Sequence, residues 1–228
     1  MRRLGSFLWA WSFLLLILIC GCGPKQGPFP IRPGKTLAVA PITCPSLPWE
    51  VISGCLLKGA SRPSPSQLKK LDAYLMKQLT SSCDLHVLSL HITRQCMEIL
   101  TRREEANISN PILFWSKIGA CIPADYILVP QLLEFREREG GDWGVFVPAR
   151  VVLSMSLIDV HKRSLVSSYI FEEEQRPLME NLLSIKKFLR RRGRWVKAIE
   201  LAEEGINQCL RGLHLCKEKR PFKGGALP

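Results

Sequence analysis

Val151-Val152-Leu153-Ser154-Met155-Ser156-Leu157-Ile158-Asp159, then His161-Lys162-Arg163-Ser164, then Leu165-Val166-Ser167-Ser168-Tyr169-Ile170-Phe171-Glu172-Glu173, is the stretch that decides the fold. The first run alternates Val151, Leu153, Met155 and Leu157 against Val152, Ser154, Ser156 and Ile158. That period of two is a strand buried on at least one face. His161 to Ser164 is a hairpin-length connection, so the following run returns antiparallel. The later strand alternates less cleanly through Val166, Ser168 and Ile170. Upstream, Gly140-Gly141-Asp142-Trp143-Gly144 reads as a turn, and Ala124 to Phe135 as the strand before it. A meander of three antiparallel strands follows, with the middle one running from Val145 to Asp159.

Further upstream the pattern changes. Thr36 to Ile42 is a short apolar run that reads as a buried strand, and Asp84 to Leu88 as a second short one. Between them lies a long Pro/Ser/Gly-rich loop over 43–65. It leads into a helix that Ser66 can cap, with Leu68, Leu71, Leu75 and Leu79 on one stripe. Thr93 to Ala106 reads as a helix. Asn110-Pro111 caps and opens another through Ile118. Two more helices are predicted at Pro177–Arg192 and Trp195–Arg211. Strands and helices alternate early and segregate late. The expected architecture is α+β or mixed α/β, a five-stranded sheet with helices on one or both faces. A single domain spans 36–216, and 217–228 is a basic tail without regular structure.

The amino terminus carries a different kind of signal. Arg2 and Arg3 precede an uncharged apolar run to Ile19, and Ile19-Cys20-Gly21-Cys22 closes it. A basic end, an apolar core and a small-residue exit describe an export leader over 1–21. The exit resembles a lipoprotein cleavage box, with Cys20 the atypical member and Cys22 the residue that would carry lipid. An uncleaved membrane anchor is the competing reading, because the run is long enough to cross a bilayer. Residues 22–35 are Pro/Gly-rich and read as a tether. Gly23 rather than Asp follows Cys22, which by resemblance directs the product to the outer membrane, facing the periplasm. The inner membrane is the alternative.

The formal charge of +12 falls to +10 once Arg2 and Arg3 leave with the leader. The excess gathers late, at Lys186, Lys187, Arg190, Arg191, Arg192, Arg194 and Lys197, and again at Lys217, Lys219, Arg220 and Lys223. Export turns such a surface away from nucleic acid and toward anionic lipid or acidic wall polymers, although a solvated helix face is the commonest explanation of such a charge run. Trp143, near Phe146 at the predicted hairpin tip, is the aromatic candidate for partner contact; the alternative is that both rings fold back on the core. Of nine cysteines, Cys20 and Cys22 belong to the leader region. Cys44 and Cys55 bracket a Pro-containing loop and form the best candidate disulfide, worth roughly 2–3 kcal/mol. Cys209 and Cys216 could bridge only if Gly212 breaks the helix between them. An odd count leaves at least one thiol free, as a small buried hydrophobe.

Catalytic patterns are missing from the sequence. His86, His91, His161 and His214 form no H-E-x-x-H arrangement. There is no G-x-S-x-G elbow, no phosphate-binding G-x-x-x-x-G-K and no C-x-x-C. Glu172-Glu173-Glu174 places consecutive carboxylates on opposite sides of a strand, unsuited to paired acid–base work. No enzyme activity, cofactor or metal is expected beyond the covalent lipid on Cys22.

Three segments carry a resemblance: Leu37-Ala38-Val39-Ala40-Pro41, then Gly119 to Val129 with Ala124-Asp125-Tyr126 at its centre, then the hairpin Val151 to Val166. Together, over roughly 36–215, they resemble the periplasmic lipoproteins built like the amino-terminal domain of TolB. That group includes the curli-secretion lipoprotein and lipoprotein activators of cell-wall synthases. The chain departs from the pattern at Ser164, where Gly is usual, and in the long 43–65 loop. The resemblance implies a non-catalytic protein that binds envelope proteins or assembles into oligomers. Membership of an outer-membrane secretion or assembly complex is one alternative. A periplasmic hydrolase would need a site that the sequence does not display.

Overall fold

In the computed structural model, residues 31, 34–56, 59–83, 85–103, 110–141, 145–175 and 195–215 are described. The strands are β1 (Thr36–Val39), β2 (His86–Val87), β3 (Tyr126–Arg136), β4 (Glu139–Gly140), β5 (Val145–Val147), β6 (Arg150–Asp159) and β7 (Ser164–Glu174). The helices are α1 (Pro65–Ser82), α2 (Leu90–Arg103), α3 (Pro111–Cys121) and α4 (Ala198–Gly212). Five strands form one mixed sheet in the order β2-β1-β3-β6-β7. β1 is parallel to both β2 and β3, whereas β3, β6 and β7 are the expected antiparallel meander.

Helices cover both faces. Leu37, Val39, Leu128, Leu153, Met155 and Leu157 face α1 and α4 in the larger core. Ala38, Ala40, Ile127, Val129 and Ile158 face α2 and α3 in the smaller one. The period of two in β6 therefore sorts its side chains between two apolar layers.

A bulge keeps β3 consistent with this sorting. Leu132 pairs with Leu153, but Glu134 pairs with Val152, so Leu133 is extra. One inserted residue reverses the alternation. Phe135 thereby joins the larger core, and Glu134 leaves it to meet Arg150. Without the bulge, a carboxylate would occupy the place of the phenyl ring.

Helix boundaries follow local chemistry. Ser64, not Ser66, caps α1: its Oγ accepts from Gln67 N, and Gln67 Oε1 accepts from Ser64 N at 2.8 Å. Pro65 then takes the first helical position, where no N–H is required. Asn110 Oδ1 accepts from the amides of Ile112 and Leu113, as expected from Asn-Pro. α4 packs close to β7 because of two glycines. A Cβ on Gly205 would lie 2.6 Å from Phe171, and one on Gly212 would lie 2.1 Å from Tyr169.

One strand needs correction. The strand drawn from Val145 to Asp159 is broken at Pro148-Ala149. Pro148 has no N–H for a ladder, and β5 leaves the main sheet to pair with β4. The 43–65 segment is the long loop expected, and it is fastened to the sheet. Thr43 bridges to Gln131, Gln131 Oε1 accepts from Ile52 N at 2.9 Å, and its Nε2 donates to Glu50 O at 2.8 Å. Gly54, at φ +97°, lies over Leu133 and Ile170, and Phe135 N donates to Ser61 O. A buried amide thus fastens the loop across the smaller-core face. The predicted helix at 177–192 and the tail 217–228 lie outside the described residues.

Candidate interaction surface

Cys22, Trp143, Lys186, Lys187, Arg190, Arg191 and Arg194 lie outside the described residues. The flank of the predicted tip is described. Phe146, on β5, is 91% exposed, so the short β4–β5 hairpin presents an aromatic ring to solvent. Trp49 stands 53% exposed in the 43–65 loop, and Ile92 and Ile99 share an exposed face of α2. Sequence reading missed these three, since each falls where apolar residues are ordinarily taken as core.

The expected disulfide is not formed: Cys44 and Cys55 are free thiols. Cys44 packs against the larger core, whereas Cys55 is exposed and follows a segment laid over the opposite face. Burial pushes the Cys44 thiol above its ordinary pKa, against the opposing charge of Arg62. Cys96 and Cys121 are bonded instead, joining α2 to α3 across a sequence separation of 25. Cys83 is also disulfide-bonded. Cys209 is the buried free thiol, pushed up to about 12 by desolvation. An inert thiol of that kind is a core residue, not a nucleophile.

Charged groups close the end of the sheet from which the β4–β5 hairpin projects. Arg150 Nε lies 2.5 Å from Glu134, and its Nη2 lies 2.6 Å from Glu172. Glu174 joins both Arg150 and Arg136, and Arg136 Nε also donates to Pro148 O. Arg136, Arg150 and Glu174 are register partners across three strands, so the cluster is a cross-strand row. Glu172 and Glu174 are therefore engaged by guanidinium groups, while Glu173 pairs in register with Val151 on the other side. Among the described residues, no group of three His, Cys, Asp or Glu side chains could hold a metal ion.

Asp125 gives the Ala-Asp-Tyr segment a physical role. Its carboxylate accepts from Lys35 Nζ at 2.8 Å and from Thr36 N at 2.9 Å, and His161 approaches at 3.5 Å. Lys35, followed by the Thr36 amide, holds this carboxyl well below the usual range. One side chain thus ties the start of β1 to the β6–β7 turn. That turn places Arg163, not Ser164, in the left-handed region at φ 55°. Asp72 does comparable work beside β1, accepting from Ile42 N at 2.8 Å and Arg94 at 2.6 Å. There burial raises the carboxyl pKa against the Ile42 amide and Arg94.

No family model matches the chain, and no curated protein matches it. Several solved structures align with the chain at low identity. A PelC dodecamer from Paraburkholderia phytofirmans aligns at 14% identity and TM-score 0.44, covering 85% of this chain and 96% of that one. The LpoB C-terminal domain from Salmonella enterica aligns at 13% identity and TM-score 0.37, covering 64% and 86%. The lipoprotein GNA1162 from Neisseria meningitidis aligns at 10% identity and TM-score 0.36, covering 70% and 98%.

Proposed function

We propose that this protein is a non-catalytic, lipid-anchored component of a bacterial cell envelope that binds envelope proteins or assembles with copies of itself. The observation that carries the reading is the leader: Arg2-Arg3, the uncharged run to Ile19, and Cys22 at the end of a lipoprotein-type box. Cleavage before Cys22 would leave the tether 22–35, the α/β domain 36–216 and the basic tail. Several acyl chains, at roughly 0.8 kcal/mol per buried methylene, would hold the domain on a membrane. Gly23 favours the outer membrane, with the domain in the periplasm.

The domain then acts as a presented surface. Phe146 and Trp49 are apolar anchors of the kind that fill partner pockets, and the carboxylates nearest the sheet end are engaged in holding the fold. Cross-linking of the intact protein in its native membrane, followed by affinity capture, should recover defined envelope partners or multimers. Phe146→Ala should reduce that recovery without altering the melting temperature. Capture indistinguishable from an unrelated lipid-anchored control would defeat the binding role.

A further inference from the structure

Cys83 closes the carboxyl end of α1, is buried in the larger core and is disulfide-bonded. Cys96 and Cys121 satisfy each other, and Cys44, Cys55 and Cys209 are free thiols. The bridge between Cys209 and Cys216 considered from the sequence is therefore not formed. Of the nine cysteines, Cys20, Cys22 and Cys216 are left to hold Cys83, and all three lie outside the described residues. The geometry of α4 aims one of them at it.

α1 and α4 lie side by side on the larger core, where Asn207 Nδ2 donates to Tyr74 Oη at 2.7 Å. They run in the same direction. α1 leads into β2, whose His86 pairs with Thr36 at the start of β1. α4 heads for the same end of the sheet: Gly205 lies over Phe171, and Gly212 over Tyr169, which is nearer the β6–β7 turn. Cys83 follows Tyr74 by as many residues as Cys216 follows Asn207. The end of α4 then turns its chain inward. His214 is left-handed at φ 52°, its N–H donates to Arg211 O at 2.9 Å, and Leu215 N donates to Leu210 O at 3.1 Å. This pair of bonds is a Schellman turn, which sets Leu215 against the helix it has just left. Leu215 is buried in the same apolar cluster as Cys83. Cys216 is one Cα step of about 3.8 Å further on, and a disulfide needs Cα atoms about 4.4–6.8 Å apart.

We propose that Cys83 is bonded to Cys216, so that α1 and α4 are clasped covalently at the end of the sheet where β1 begins. In forming the bond, the two thiols give up two protons and two electrons to a disulfide-bearing oxidant, which is left as a dithiol. The oxidising compartment that this needs rests on the export proposed above, but the pairing does not rest on lipid at Cys22. Lys217, Lys219, Arg220 and Lys223 follow the clasp directly. It therefore fixes the point from which the basic tail leaves the domain, at the end that the tether enters.

The test is peptide mapping without reduction. The full-length protein is expressed in an exporting bacterial host, its free thiols are alkylated at lysis under denaturing conditions, and it is digested with trypsin. Cuts after Lys77, Arg94, Arg211 and Lys217 release peptides 78–94 and 212–217. These should be recovered as one linked species that separates on reduction. Cys216→Ser should add Cys83 to the alkylated thiols Cys44, Cys55 and Cys209. Peptide 78–94 alkylated in the wild type, or linked to any peptide other than 212–217, would overturn the proposal, as would Cys83 still blocked in Cys216→Ser. The intact mass of the same sample reports the lipid. A link from 78–94 to the peptide holding Cys22 would overturn the clasp and the lipid anchor together. The expected link on a protein without lipid would support the clasp and overturn the anchor alone.

Discussion

The two faces of the sheet are held by different physics. On the α1/α4 face, Leu71, Leu75, Leu79, Leu128, Leu153, Met155, Leu157, Leu201 and Ile206 make a continuous apolar layer. On the α2/α3 face, a smaller apolar cluster shares the sheet with a fastened loop, a disulfide and an Arg150-centred ion cluster. The first face depends on area removed from water, which tolerates small shifts of side chains. The second depends on directional contacts, each of which fails if one partner is lost. Conformation at the second face is therefore set by a few named groups, and that is the face from which the long loop presents Trp49.

The largest effect should come from the apolar face. Leu153→Ala removes a fully buried side chain from β6 and should lower the unfolding free energy by about 3–5 kcal/mol in urea titration. On the opposite face, Cys96→Ala/Cys121→Ala should cost about 3 kcal/mol, and unfolding the wild type under reducing conditions should cost more, because it also opens the Cys83 disulfide. Gln131→Ala should follow, at about 2 kcal/mol, because it strands the Ile52 amide and Glu50 carbonyl. Unlike Leu153→Ala, it should speed proteolysis within 43–65 more than global unfolding does. The smallest change should be a gain: Arg163→Gly relieves a left-handed backbone and should raise stability by about 0.5–1 kcal/mol. A Gln131→Ala loss matching that of Leu153→Ala, with no preferential cleavage of the loop, would erase the distinction between the faces.

That distinction also explains what could be read from the sequence. The meander, its alternating faces and the α1 stripe were legible because burial on a regular element imposes its period on the residues. The second face leaves no such trace. Nothing in the spacing of Cys96 and Cys121 announces that α2 and α3 lie side by side, so the nearer Cys44 and Cys55 drew the disulfide assignment. Gln131 sits in a strand and looks like one polar break in an apolar run. Its function as a fastener depends on a loop some 80 positions earlier. The ion cluster assembles only after a one-residue bulge redirects Glu134. Pro148 lacks a ladder N–H and marks the break, yet the apolar run on either side of it read as one strand. Of the candidate surface, the hairpin placed Phe146 at its flank, but whether the ring turned outward or onto the core was decided only by the structure.

The proposed role rests most directly on Cys22. Cells expressing the protein would be labelled with an alkyne analogue of palmitate, and wild type compared with Cys22→Ala at equal expression. The account predicts label on the wild-type protein, none on the variant, and accumulation of the variant with its leader uncleaved. Label persisting on Cys22→Ala, or a wild-type protein that never takes up label, would contradict the lipid anchor.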